Sequence, residues 1–164
     1  MKKCILFAAP IGAGKSPIAN YLSYKLNLPV FNHDAIRTEV REDLLRMDVT
    51  EYEQRKNSRA KELINMGISF IYDASVDRNW PETKQTLLEH DYSPFIISLD
   101  FSHEKLVAIY KAKGYTEFAA LDKTFAEHQQ FMAEHSADVS VAIGDSQFAN
   151  RLNVAFAAAA EFTK

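Results

Sequence analysis

Cys4-Ile5-Leu6-Phe7-Ala8-Ala9-Pro10-Ile11-Gly12-Ala13-Gly14-Lys15-Ser16 runs from an apolar stretch into a turn of small residues that ends in a lysine and a hydroxyl. From Ala9 onward it fits the phosphate-binding pattern Ala/Gly-x4-Gly-Lys-Ser/Thr. Gly12, Ala13 and Gly14 are small enough to let successive backbone N–H groups turn inward around a β-phosphate. Lys15 then reaches the β and γ oxygens, and the Ser16 hydroxyl ligates Mg2+. A helix starting at Gly14 or Lys15 adds its positive dipole end to the same anion. The apolar run reads as a strand, and Ile18, Leu22 and Leu26 on one helical face read as the helix that follows. The expected ligand is a nucleoside triphosphate, ATP, with Mg2+; the alternative is a glycine turn that holds nothing.

Two positions depart from the commonest form of this loop. Ala9 stands where the first glycine is usual, which is tolerated where positive φ is not required. Pro17 follows the hydroxyl residue, where many such loops use the backbone N–H to hold the α-phosphate, and proline has no N–H to offer. Proline is comfortable in the first turn of a helix. The expectation is therefore an intact fold with a weaker grip at Pro17 on the α-phosphate.

The 164 residues, 47% hydrophobic and 12% aromatic, suffice for one good core and read as one domain over residues 1–164. The net charge of −3 argues against an extended surface tracking the phosphates of a nucleic acid, while leaving room for a small cationic pocket. Cys4 is the only cysteine, so no internal disulfide can form and a reducing cytoplasm is the natural compartment. Within the first strand it reads as core filler. Met1-Lys2-Lys3 begins like a signal peptide, but the apolar stretch stops at Pro10-Ile11-Gly12, too short for a membrane span. No motif here encodes an oligomeric state.

Apolar runs alternate with amphipathic stretches, the order that produces a parallel sheet covered by helices on both faces. Strands are expected at Lys3–Ala9, Leu28–Asn32, Ile68–Asp73, Phe95–Asp100 and Asp138–Ile143. The fold class is thus α/β, a three-layer arrangement around a parallel five-stranded sheet. Ile36, Val40, Leu44 and Met47 recur at helical spacing, as do Phe118, Leu121, Phe125 and Met132, and both stripes read as core. Gly67 is expected to cap the helix before the third strand, and Gly114 to divide two helical pieces after the fourth. Trp80-Pro81 opens a helix with the tryptophan as an apolar anchor.

Ligands of open parallel sheets gather beyond the carboxyl ends of the strands, so polar residues there carry most weight. The second strand passes through Asn32-His33-Asp34 into Ala35-Ile36-Arg37, setting Asp34 and Arg37 one helical turn apart on one side. A carboxylate at that place can take a proton from a hydroxyl attacking a γ-phosphate while the arginine holds an anionic group of the acceptor. Asp34 as the N-cap of the next helix is the competing reading. Asp73 closes the third strand, either as a carboxylate facing substrate or reaching Mg2+ through water, or as the start of an Asx turn. Arg78 is a substrate contact or a solvated loop arginine.

With the phosphate loop, Asp34-x-x-Arg37 and Ile71-Tyr72-Asp73-Ala74 in this order, the chain resembles small P-loop kinases of the polynucleotide kinase, zeta-toxin and chloramphenicol phosphotransferase type. The resemblance implies a P-loop fold in which Asp34 is the catalytic base, Arg37 touches substrate, and Lys15 and Ser16 take the loop roles. It also implies a lid within residues 101–135, with arginines that neutralise the transferring phosphoryl group, and puts Arg151 near the adenine, where a surface ion pair is the alternative. The lid pattern fails here. No arginine occurs from Asn79 to Asn150, and between Phe101 and Thr116 the cations are Lys105, Lys111 and Lys113. Lysine lacks the bidentate fork of arginine, and Lys111 and Lys113 also suit the end of a helix.

These features point to an ATP- and Mg2+-dependent kinase acting on a hydroxyl of a small molecule or nucleotide, with an acceptor pocket drawn from the segments around Arg37, Arg41, Arg59, Arg78 and Trp80. The alternative is a nucleotide-binding module with weak or no phosphotransfer, suggested by Pro17 and the arginine-free lid. A nucleic-acid end kinase, which the acidic balance disfavours, and a plain NTPase with water as acceptor are the further alternatives.

Overall fold

The computed structural model describes residues 1–164. Five parallel strands, β1 (Lys2–Ala8), β2 (Val30–Asn32), β3 (Phe70–Ser75), β4 (Tyr92–Asp100) and β5 (Val139–Gly144), form one sheet in the order β2-β3-β1-β4-β5. Seven α-helices connect and cover them: α1 (Lys15–Leu26), α2 (His33–Leu44), α3 (Val49–Met66), α4 (Trp80–Glu89), α5 (His103–Ala112), α6 (Phe118–His135) and α7 (Arg151–Thr163). Short 3-10 turns at Ser136–Asp138 and Asp145–Asn150 flank β5.

Side chains of a strand alternate between faces, and β1 is buried on both. Ile5 and Phe7 join a core with Ile18 and Leu22 of α1, Leu106 and Tyr110 of α5, and Ala155 and Ala159 of α7. Cys4, Leu6 and Ala8 face a second core with Ile36 and Val40 of α2, Tyr52 of α3, and Trp80 and Leu87 of α4. α6 serves both, placing Leu121 in the first and Phe131 in the second. Burial drives the Cys4 thiol pKa far upward, consistent with the expected core filler.

All five expected strands form, with moved ends. β4 begins three residues early, at Tyr92, and runs through Pro94. Proline is tolerated there because β5 pairs with β4 only from Ile96 onward, leaving that side of Pro94 without a strand neighbour. β3 starts at Phe70 and continues past Asp73 to Ser75. The stripe expected to run from Ile36 to Met47 ends sooner: α2 stops at Leu44, Leu45 takes a left-handed conformation at φ 55°, and Leu44 is exposed. Met47 instead packs on the second core from the α2–α3 connection. Gly67, at φ 65°, ends α3 with its N–H on the Ile64 carbonyl, and Gly114, at φ 75°, separates α5 from α6.

Candidate active site

The loop between β1 and α1 is held open by two left-handed glycines, Gly12 at φ 77° and Gly14 at φ 100°. Gly14 is the N-cap of α1 and contributes no side-chain cap, so the first N–H groups of the helix remain available to an anion. Ala13 N–H closes the turn on the Pro10 carbonyl at 3.4 Å. Lys15 and Ser16 occupy the first two helical positions and Pro17 the third, where its missing N–H breaks no intrahelical bond. Lys15 Nζ donates to the Pro10 carbonyl at 3.3 Å and has no ion pair. Burial lowers its pKa, and Asp77, Asp73 and Asp34 pull in the opposite direction.

One side chain organises the β2 end of the site. Asn32 Oδ1 accepts from the backbone N–H groups of Asp34 at 2.7 Å and Ala35 at 3.0 Å, capping α2. The cap is therefore Asn32 rather than Asp34. The other end of the same amide, Nδ2, donates to Asp73 Oδ2 at 2.7 Å, which is possible because Asn32 and Asp73 are in register across β2 and β3. Asp34, free of capping duty, is exposed and pairs with Arg37 Nη1 at 2.7 Å; Arg37 also lies over the Tyr52 ring at 5.1 Å. The two residues do share one side of the helix, as their spacing requires.

Asp73 is a strand residue and opens no Asx turn. That function passes to Ser75, whose Oγ accepts from Asp77 N–H at 3.3 Å and from Ala9 N–H at 3.4 Å, tying the end of β3 to the phosphate loop. Asp73 is 7% exposed and its Oδ1 has no hydrogen-bond partner. Burial raises its pKa, while the adjacent Ser16 hydroxyl and the Lys15 ammonium lower it. A hydroxyl beside a carboxylate oxygen with no donor of its own suits Mg2+, which takes few protein ligands and keeps much of its water. No group of three or more His, Cys, Asp or Glu side chains is arranged to hold a metal by itself. Ser16 and Asp73 thus fit a cation that arrives with a polyphosphate better than a resident one.

The expected arginines are distributed differently. Arg59 forms a fork with Glu39 and Arg55 bridges Asp43 and Glu51, so both brace the α2–α3 arm. Arg78 is mostly exposed and faces Glu127 of α6 at 3.6 Å. Arg151 is in no ion pair; its guanidinium lies 4.2 Å from the Phe148 ring centre, Nη1 donates to the Phe148 carbonyl, and Nε has no partner. Trp80 is buried and donates from Nε1 to Asp138 at 2.8 Å, the anchor its sequence position suggests. None of these residues lines the cavity of about 370 Å3 that opens between α3 and α4. Its walls include Phe31, His33, Tyr72, Lys56, Asn79 and Glu82. His33 sits edge-on to Phe31 and Tyr72, and burial, with Lys56 and Arg37 nearby, lowers its pKa to about 4.

Two contributors, Asp77 and His128, have no signature in the sequence, and a third, Lys113, shows there only as a cation of the expected lid. Lys113, at the end of α5, donates to the Gly12 carbonyl at 2.7 Å, so a cation of the arginine-free segment does converge on the loop. Burial and Arg151 lower its pKa. Asp77 and His128 form a buried pair at 3.1 Å. Helical spacing places His128 on the same stripe as Leu121 and Thr124, but nothing local indicates that the stripe meets the loop after β3.

No protein-family model matches the sequence, and no curated protein matches it. Solved structures do. A gluconokinase from Sinorhizobium meliloti 1021 superposes with a TM-score of 0.67 at 14% identity, over 98% of this chain and 93% of that one. A structure from the PezAT chromosomal toxin–antitoxin system of Streptococcus pneumoniae gives 0.58 at 12% identity, over 88% and 67%. Shikimate kinase from Bacteroides thetaiotaomicron gives 0.55 at 10% identity, over 93% and 94%. With its parallel five-stranded sheet, helices on both faces and a loop of this form after β1, the chain has the fold of P-loop kinases.

Proposed function

We propose that this chain is a kinase that transfers the γ-phosphoryl group of ATP to a hydroxyl of a small molecule or nucleotide. The observation that carries the reading is convergence at one edge of the sheet. The cradle of Gly12, Ala13, Gly14, Lys15 and Ser16, the Asp34–Arg37 pair and the orphaned Asp73 oxygen all belong to the carboxyl ends of β1, β2 and β3. Lys15 and the loop amides hold the β and γ phosphates, and Ser16 with Asp73 holds Mg2+, which when bound neutralises charge on the phosphates. Asp34 takes the proton of the acceptor hydroxyl as its oxygen attacks phosphorus, and Arg37 orients the acceptor. Arg78 exchanges Glu127 for substrate or the transferring phosphate. Arg151, stacked on Phe148, borders the adenine. The cavity between α3 and α4 receives the body of the acceptor, since His33 and Tyr72 of its wall adjoin Asp34 and Asp73 in sequence.

The test is Asp34→Asn. Nucleotide affinity should stay within about 2-fold, and transfer to an acceptor should fall by about 100-fold or more, the range for loss of a general base. Transfer at the wild-type rate would remove Asp34 from the reaction. A second reading, a nucleotide-binding module without transfer, is favoured by the absence of arginine from Asn79 to Asn150. ATP binding with no ADP formed across a panel of alcohols, sugars and nucleosides would select it.

A further inference from the structure

α6 makes two contacts at this end of the sheet, one with the phosphate loop and one with the segment that follows β3. Thr124 Oγ1 accepts the Ile11 backbone N–H at 3.1 Å. One helical turn on, His128 is fully buried and places Nδ1 at 3.1 Å from Asp77 Oδ2. An ionised carboxylate only accepts, so Nδ1 carries the proton of this bond. Nε2 faces Ser98 Oγ at 3.5 Å and Asp100 Oδ1 at 3.9 Å. The row Ser98, His128, Asp77 has the order of a hydrolytic triad, but Ser98 and His128 are both sealed in the core and no substrate can reach them. Their purpose lies at the other end of the row.

Asp77 has a side chain 5% exposed, and its second oxygen, Oδ1, is buried without any partner. Such an oxygen is costly to leave unpaired. Its backbone is fixed as well: Asp77 N–H bonds to Ser75 Oγ, which also receives Ala9 N–H from the loop, and Val76 N–H bonds to the Phe7 carbonyl. The carboxylate is thus built rigidly against the root of the phosphate loop, beside the Ala9–Pro10 segment on which Lys15 Nζ rests. Lys15 meanwhile has no carboxylate in contact, only the Pro10 carbonyl.

We propose that Asp77 is a positioning residue for Lys15, offering Oδ1 as the counter-charge that keeps the ammonium at the phosphate cradle, and that His128 positions Asp77, making α6 part of the nucleotide site. This rests on the reading of the loop as a nucleotide cradle, and it assigns the Lys15 partner to a residue outside the β3 strand. The division of labour is specific: Asp73 Oδ1 is left to a cation, Asp77 Oδ1 to the lysine.

The sign of the effect on binding tests it. ADP is an anion, so if Asp77 merely added negative charge nearby, Asp77→Asn would tighten ADP binding. If Asp77 positions Lys15, the same change weakens ADP binding without Mg2+, by about 10-fold, within the range for directly coupled neighbours. In a Lys15→Ala background the Asp77→Asn change should then cost nothing. Titration calorimetry of ADP against wild type, Asp77→Asn, Lys15→Ala and the double variant completes the cycle. His128→Leu should weaken ADP binding like Asp77→Asn, and His128→Asn, whose amide N–H can stand in for Nδ1–H, should restore most of it. If His128→Leu melts below the assay temperature, the Asp77 cycle decides alone. Wild type that binds no ADP would overturn the nucleotide reading itself. Wild type that binds, with Asp77→Asn binding equally or more tightly, or with the same loss in the absence of Lys15, would overturn the positioning role and leave the nucleotide reading standing.

Discussion

A single methyl group tests the phosphate loop at the scale of the residue. A Cβ added to Gly12 would lie 2.6 Å from Tyr110 Cδ2, whereas one added to Gly14 would meet nothing within 4 Å; both backbones are left-handed. Gly14→Ala should therefore cost only the backbone strain, about 1–2 kcal/mol, while Gly12→Ala adds overpacking of about 1–3 kcal/mol against a buried ring. Thermal melts of the two variants should rank them in that order. Pro17→Thr restores an N–H at the third position of α1 and should tighten nucleotide binding several-fold with little change in Tm; calorimetry showing no gain would mean that this N–H is not part of the cradle. The left-handed turn at Gly12 and Gly14 and the helix start at Lys15 and Ser16 are legible because the pattern that marks them lies within five consecutive positions. The Asn32–Asp73 bridge and the Asp77–His128 pair are not, because the partners lie 41 and 51 residues apart and the contacts exist only after the sheet and α6 have assembled.

Elements were legible wherever one periodicity covered a whole segment. The five apolar runs are the five strands, and Ile18 with Leu22 marks the buried face of α1. Ends were less so, because they depend on tertiary partners: β3 extends to Ser75 through its bonds to the loop, and α2 stops at Leu44 although Met47 keeps the spacing. The α3–α4 cavity was invisible for the same reason, since Phe31, His33 and Tyr72 meet only when β2 pairs with β3. At this scale His33 makes a pH prediction. Its pKa falls from 6.5 to about 4 through burial first and the cations Lys56 and Arg37 second. Between those values the unfolded chain binds the extra proton and the folded one does not, so His33 contributes a stability that is complete above pH 6.5 and is lost as pH falls toward 4. His33→Gln should flatten the dependence of Tm on pH in that window relative to wild type. Parallel curves would place His33 in water in the folded protein.

Across the whole molecule, alternating runs made a parallel sheet legible, but its order was not, and the order creates the site. Placing β1 between β3 and β4 sets the phosphate loop beside Asp73 on one flank and beside the α5–α6 segment on the other. Sequence distance hides that second flank: Lys113 reaches Gly12 across 101 residues and Thr124 reaches Ile11 across 113. A ligand seated in the proposed cradle would lie between segments brought together by the whole sheet, so its binding energy should appear as stability of the entire chain. Nucleotide with Mg2+ at 100 times its Kd should add about 2.7 kcal/mol, a rise in Tm of about 5–10 °C for a chain of this size. Lys15→Ala should abolish the rise. Lys113→Ala should reduce it, because Lys113 holds one loop carbonyl and adds positive charge at the cradle, yet leaves the backbone N–H groups in place. A Lys113→Ala protein stabilised as fully as wild type would detach α5 from the nucleotide, and the arginine-free segment would then supply no cation to the phosphates from that helix.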